Sequence, residues 1–312
     1  MSKKIIVTGA AGLVGQNLVP MLVREGYRIT AIDRNPNINL LKKLNPKVAC
    51  FQSDVSYSGK WEEEFKDADC VIELHAQIAA QTSKPFERSN IEGVSNVLEL
   101  CKKYKVKNLI HISSSVVISA AKDEYTRTKR IGEELVRKSK VPYTILRPSL
   151  MYGCFDAKHL GWITRFMEKT PIIPVPGSGK YVRQPLYAND LCKVIVELTK
   201  RKPENKAWNI IGREKIEYID LLKIIAKTRR WKRLFVPLPL WLFGFCLRVY
   251  SFVFRKTVFT PDQMRALVAG DEFPIEPWCE EFNVPYTPFR LAMWKTWHSP
   301  CSKYAKEMIS PH

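Results

Sequence analysis

Residues 4–15 read KIIVTGAAGLVG, and no other stretch limits the fold so tightly. A β-branched apolar run, Lys4–Thr8, stops at three glycines spaced GxxGxxG. Leu13–Glu25 then follows with helical spacing and ends at Gly26. Strand, glycine turn and helix in that order make a phosphate cradle. The early glycines allow a tight turn and a close backbone approach. The last lets helix and strand pack, and the helix start offers free N–H groups and positive dipole character. Gly9, Ala11, Gly12, Leu13, Val14 and Gly15 are therefore expected to hold the pyrophosphate of a dinucleotide.

The residues after the turn keep the same rhythm. Arg28–Ile32, Val48–Gln52, Cys70–Leu74, Asn108–Ile112 and Tyr143–Leu146 read as buried strands, with helices at about 90–104 and 125–138. Apolar strands alternating with helices predict an α/β, Rossmann-type doubly wound parallel sheet. After Arg147-Pro148 the alternation fades and Pro, Trp and Phe become frequent. The organisation expected is a dinucleotide-binding domain over 1–150, to which 186–211 returns with a late strand at Ala207–Ile211. A smaller substrate lobe covers 151–185 and 212–299, and a loose tail covers 300–312.

Asp33 ends the second strand. A carboxylate there accepts from the adenosine ribose hydroxyls and repels a 2′-phosphate, which favours NAD. Arg34 could pair with that phosphate, so NADP stays open. Asp54 and Val55, after the third strand, are placed near the adenine, with a helix cap as the alternative for Asp54.

Chemistry is expected from two further segments. Ser113-Ser114-Ser115 closes a strand in IHISSSVV, and Tyr125 and Lys129 share one helix face in YTRTK. A tyrosine serves as acid or base near neutral pH only if its phenolate is stabilised. A lysine one turn away does this and can hold the nicotinamide ribose. A strand-end serine would orient the substrate oxygen.

With these pieces in order, the chain resembles the extended short-chain dehydrogenase/reductases, the NAD-dependent epimerase/dehydratase family. TGAAGLVG, Asp33, Asp54-Val55, SNIEGVSNVLE with Asn90, ISSS, YTRTK, LRPSLMYG and VRQPLYANDL carry the resemblance over roughly 4–192. It implies Ser115, Tyr125 and Lys129 as catalytic residues, with Ser114 beside the substrate as the fallback. It adds His75, Ala76 and Asn90 at the cofactor, although Leu74-His75-Ala76-Gln77 stands where the family has His-Leu-Ala-Ala. Arg183 matches an arginine that clamps a substrate diphosphate in sugar-nucleotide epimerases. Val116 and Val117 stand where 4,6-dehydratases carry acids, so dehydration is disfavoured. The QPLY wording also resembles the branch of the complex I nucleotide-binding accessory subunit. By analogy alone, 90–104 and 125–138 form a homodimer face.

Three functional readings follow. The first is an NAD(P)-dependent oxidoreductase or epimerase at a carbinol/carbonyl carbon of a nucleotide sugar. The second is a membrane-associated dehydrogenase of a lipid or sterol-like alcohol. The third is a non-catalytic nucleotide-binding subunit of a membrane complex.

Charge bears on that choice. Fifty Lys and Arg oppose 31 acids, a formal +19. Residues 227–256 hold eight basic residues and no acid around an apolar, aromatic run, Leu234–Phe254, interrupted by Arg248. This suits a helix lying on an anionic bilayer, with a buried helix and a short span as alternatives. No nucleic-acid motif is present, so nucleic acid is not an expected partner. Eight cysteines form no CxxC pair and read as reduced thiols with no metal site. Met-Ser-Lys-Lys leads straight into a strand without a signal peptide, so the expected location is cytoplasmic, or peripheral at a membrane's inner face.

Overall fold

The structure is a computed structural model, and it describes residues 2–158, 160–254, 268, 270 and 272–305. Its centre is a sheet of seven parallel strands. They are β1 (Lys4–Thr8), β2 (Arg28–Asp33), β3 (Ala49–Gln52), β4 (Cys70–Glu73), β5 (Leu109–Ile112), β6 (Tyr143–Pro148) and a late strand, Lys206–Ile210. Their order is late strand–β6–β5–β4–β1–β2–β3. The chain runs outward from β1 to β3, then restarts at β4 on the other side. That reversal opens a crevice at the carboxyl ends of β1 and β4, where ligands bind in sheets of this kind.

Side chains alternate strictly across the sheet. Ile5, Val7, Cys70, Ile72 and Ile110 enter one core with α1 (Leu13–Arg24) and α7 (Ala188–Lys200). Ile6, Val71, Leu109 and Ile145 enter a second core with α4 (Gly93–Lys103) and α5 (Glu124–Lys138). Helices on both faces explain why the strands are apolar throughout. α2 (Ile38–Leu44), the short α3 (Lys84–Glu87) and α7 are not among the helices expected from the sequence.

A third core lies outside the sheet. Tyr152, Leu160, Ile163, Met167, Tyr218, Leu221, Ile225 and Phe289 form it. They come from α6 (Leu160–Lys169), α8 (Tyr218–Thr228) and the helix Phe289–His298. Beside it, Ile172–Pro176 pairs in parallel with Leu234–Leu238, and α9 (Leu240–Phe254) follows directly.

Two expectations are corrected. Cys154 and Cys301 form a disulfide with Cα atoms 6.3 Å apart, so these two are not free thiols. A pair separated by 147 positions meets only through the fold, which local spacing cannot reveal. The same bond holds Cys301–Ala305, a short helix, so this part of the tail is tied down rather than loose. Residues 306–312 and 255–256, also named in the sequence reading, lie outside the described residues. Among the described residues no metal-ligand cluster occurs, and no helix is long and apolar enough to cross a membrane.

Candidate active site

The crevice begins at the glycine turn. Gly9 has φ +68°, and a Cβ there would sit 2.4 Å from the His75 backbone nitrogen. Only glycine lets the first turn pass the segment leaving β4. Gly15 is equally constrained, because a Cβ would meet the Ala10 carbonyl oxygen at 2.3 Å. Gly12 differs. Its Cβ would meet only the Gly9 carbonyl oxygen, at 3.4 Å, so space opens above it. Gly12 also caps α1 without a side-chain bond, and the first turn of α1 holds no acid. An uncapped helix start facing open space fits a pyrophosphate.

Asp33 stands at the end of β2 as expected. Its carboxylate accepts from Ala11 N (2.9 Å) and Asn35 N (2.8 Å). Burial pushes its pKa up, against the pull of those two backbone donors and of Arg34. Arg34 turns to Asp54, 3.3 Å away, and to the Gln77 side chain. Arg88 approaches the same Asp54 carboxylate at 4.0 Å and bonds the Tyr57 hydroxyl at 3.1 Å. Burial works against ionisation of Asp54, but bonds from Ser56 and Arg34 outweigh it and hold the pKa below the usual range. Val55 is buried in the sheet's second core. These groups form a polar shelf beyond β2 and β3.

Asn90 is fully enclosed behind the site. Its amide accepts from Gln77 N (2.8 Å) and donates to Gln77 O (3.0 Å) and Thr128 Oγ1 (3.0 Å). It therefore straps the segment after β4 to α5. His75, in that segment, shares a 2.8 Å bond with Thr8 Oγ1. Burial lowers its pKa to about 4, so it is neutral near pH 7. Ala76 lies next to it on the same segment.

The reactive groups gather at the end of β5. α5 starts cleanly because Asp123 caps it, accepting from Thr126 N at 3.0 Å. That cap sets Tyr125 in the first turn. The Ser114 hydroxyl approaches its phenol and pulls the pKa down, but burial outweighs this and pushes it up to about 12. Lys129 lies one turn further on, 1% exposed, and donates to the Ile112 carbonyl at 2.8 Å. Burial brings its pKa down to about 8, opposed by the charges of Glu73 and Glu133.

Of the two serines weighed from the sequence, Ser114 is the one whose hydroxyl acts on the phenol. It is the last extended residue and caps the next turn, Ser115–Ile118, with its Oγ accepting from Val116 N at 3.4 Å. Ser115 is buried at the start of that turn.

Arg183 is buried at 4% exposure and lies over the Tyr181 ring, 5.7 Å from its centre. The Gln184 side chain next to it exchanges bonds with the Phe273 backbone (2.7 and 3.3 Å). The structure also brings forward two groups that the sequence reading passed over, Glu73 and His111. Both are 0% exposed and joined at 2.6 Å. The signal was there: an acid and an imidazole each interrupt an otherwise apolar buried strand, CVIE and LIHI.

Residues 5–210 match the family described as the NAD dependent epimerase/dehydratase family. A putative UDP-glucose 4-epimerase of Methanocaldococcus jannaschii is 30% identical over 219 residues, 61% of this chain and 71% of that protein. Subunit 9 of the mitochondrial NADH dehydrogenase (ubiquinone) 1 alpha subcomplex of Dictyostelium discoideum is 25% identical over 239 residues, 74% of this chain and 65% of that one. Among solved structures, UDP-glucuronic acid 4-epimerase of Bacillus cereus in complex with NAD superposes with a TM-score of 0.64. It is 25% identical and covers 76% of this chain and 86% of its own.

Proposed function

The chain belongs to the NAD dependent epimerase/dehydratase family, and from that premise we propose that it is an epimerase or oxidoreductase acting on a carbinol/carbonyl carbon of a nucleotide sugar. The observation that carries this reading is the contact of the Tyr125 phenol with Ser114, with Lys129 buried one turn behind it. The glycine turn, the open uncapped start of α1 and Asp33 fit NAD. When bound, NAD supplies the hydride acceptor.

The chain's own residues would do the rest. Ser114 positions the substrate oxygen against the phenol. Tyr125 takes the hydroxyl proton at its Oη and returns it after the carbon has been re-faced. Lys129 lowers the cost of the phenolate by its charge and holds the ribose hydroxyls. Arg34 serves Asp54 and Gln77 rather than a phosphate, which supports NAD over NADP. Arg183 would take the substrate diphosphate once the buried guanidinium is turned from Tyr181. Val116 and Val117 stand where 4,6-dehydratases carry acids, so dehydration is not part of the proposal. Relatives include UDP-sugar epimerases, which supports the substrate class.

The test is a screen of UDP-hexoses and UDP-hexuronates against sterol-like and lipid alcohols, read by product mass and by reduced-nicotinamide absorbance. Turnover confined to nucleotide sugars is the expected result. Turnover confined to lipid alcohols would replace the substrate class.

A second reading rests on α9. Trp241, Phe245 and Val249 recur every four residues on one face, 75%, 59% and 46% exposed. Near its chain neighbours, Lys227, Arg229, Arg230, Arg290 and His298 line a cleft of about 480 Å³ with Trp294. An outward apolar row in a strongly basic lobe suits peripheral contact with an anionic bilayer. A helix of 15 residues reaches about 22 Å, short of the hydrocarbon core, so it would lie on the bilayer. Membrane contact is compatible with catalysis, and also with a nucleotide-binding subunit like the Dictyostelium relative. Cofactor retained without turnover, together with indifference to Tyr125→Phe in cells, would favour the subunit. The outer faces of α4 and α5 are the proposed homodimer surface. Gel filtration at a monomer mass would remove it.

A further inference from the structure

The sheet face beneath α5 carries a charge that neither the fold nor the proposed reaction explains. Glu73 and His111 are register partners on β4 and β5. Two residues earlier, Val71 and Leu109 point from the same strands into the apolar core under α4 and α5. By the two-residue period of a strand, Glu73 and His111 point to that face too. An apolar pair would continue the core there. A buried carboxylate instead carries a large desolvation cost, which it repays only against a nearby positive charge.

His111 Nδ1 meets Glu73 Oε2 at 2.6 Å. Glu73 Oε1 has no hydrogen-bond donor, and His75 Nε2 stands 3.5 Å from it. His75 is a neutral partner, since burial holds its pKa near 4. The cation on this side is Lys129, also enclosed, whose ammonium donates to Ile112 O. The other acid near Lys129 is Glu133, but two bonds from Arg147 (2.7 and 2.6 Å) already balance it.

We propose that Glu73 is the buried counter-charge that keeps Lys129 in its ammonium form, with His111 holding the carboxylate in place. Glu73 and His111 are then positioning residues, acting on Tyr125 only through Lys129. The charged groups that act on Lys129 are Glu73 from β4 and Glu133 from α5, and Glu73 in turn faces His111 from β5 and His75 from the segment after β4. Glu73 is the one among them that brings a negative charge without an arginine partner. The consequence for catalysis rests on the proposed Tyr125/Lys129 chemistry, whereas the charge coupling itself does not.

The experiment is therefore a titration of the full chain with 13Cε-labelled lysine, with Lys129 assigned by the signal lost in Lys129→Met. In Glu73→Gln the Lys129 midpoint should fall by at least one pH unit, and the alkaline limb of kcat/KM should fall with it. In Glu73→Asp, which keeps the charge, the midpoint should stay close to wild type. An unchanged Lys129 midpoint in folded Glu73→Gln overturns the proposal. Should Glu73→Gln not fold, reciprocity supplies the test: the Glu73 carboxyl midpoint, followed by 13C, must rise in Lys129→Met, and its failure to rise overturns the proposal. Turnover without a Lys129 shift removes only this inference. A Lys129 shift in a chain that turns nothing over supports it and removes only the catalytic reading.

Discussion

The end of β5 and the surface of α9 obey opposite rules. Under α5, polar groups are gathered in pairs: Tyr125 beside Ser114, Glu133 with Arg147, His75 with Thr8, Glu73 with His111. On α9, large apolar side chains face outward, with Trp241 three-quarters exposed. Burying an apolar side chain of this size is worth roughly 1.5–3 kcal/mol, so leaving several outside forgoes stability. This contrast is what the proposed proton transfer at the first region and the proposed membrane contact at the second would each need. The first region suits proton transfer in a water-poor cleft. The second suits a partner that is itself apolar and anionic.

The comparison can be broken from either side. Tyr125→Phe should reduce turnover on the order of 10²–10⁴-fold with little change in Tm, as measured by reduced-nicotinamide absorbance and calorimetry. Turnover near wild type would show that the enclosed polar cluster is structural only. Gly9→Val should abolish NAD retention and destabilise the fold by about 3 kcal/mol or more, since a Cβ meets backbone and φ is +68°. Denaturant titration and a cofactor-release assay check it.

The enclosed side should also show in acid. His75 binds its proton at about 4 in the folded chain against 6.5 when free. Between those values the unfolded chain holds more protons, so stability rises with pH across that window and is lost as pH falls from about 6.5 towards 4. The full loss amounts to about 3 kcal/mol for this group, and His75→Gln should flatten the slope. Glu73, whose pKa is held down against burial by His111, adds a further loss below about 4.5. Finally, Trp241→Ser with Phe245→Ser should weaken sedimentation with anionic vesicles by about tenfold, a difference of about 1.4 kcal/mol, and leave Tm unchanged. A large fall in Tm would instead mean that α9 packs against the protein.

The two regions were also unequally legible. The glycine turn, Asp33, β1 to β6 and the α5 helix stand in the residues themselves, because strand and helix periodicity and glycine geometry are local. The serine assignment was not local. Ser113, Ser114 and Ser115 are identical letters, and the change from extended to helical backbone at 114 is not written in them. Asn90, expected against the cofactor, bonds the Gln77 backbone and Thr128, the latter across 38 positions. Cys154 and Cys301 were invisible as a pair for the same reason. For 234–254 the composition allowed core, interface or span. That α9 packs beside Ile172–Pro176 and leaves Trp241, Phe245 and Val249 exposed is a placement that composition does not carry.

The central claim is that the phenol at 125 works against the hydroxyl at 114. Single-turnover reduction of bound NAD, followed after adding a UDP-hexose or UDP-hexuronate to wild type, Ser114→Ala, Ser115→Ala and Tyr125→Phe, tests it directly. The account predicts reduction in wild type and Ser115→Ala, and its loss in Ser114→Ala and Tyr125→Phe. Reduction that survives in Ser114→Ala and disappears in Ser115→Ala would contradict it.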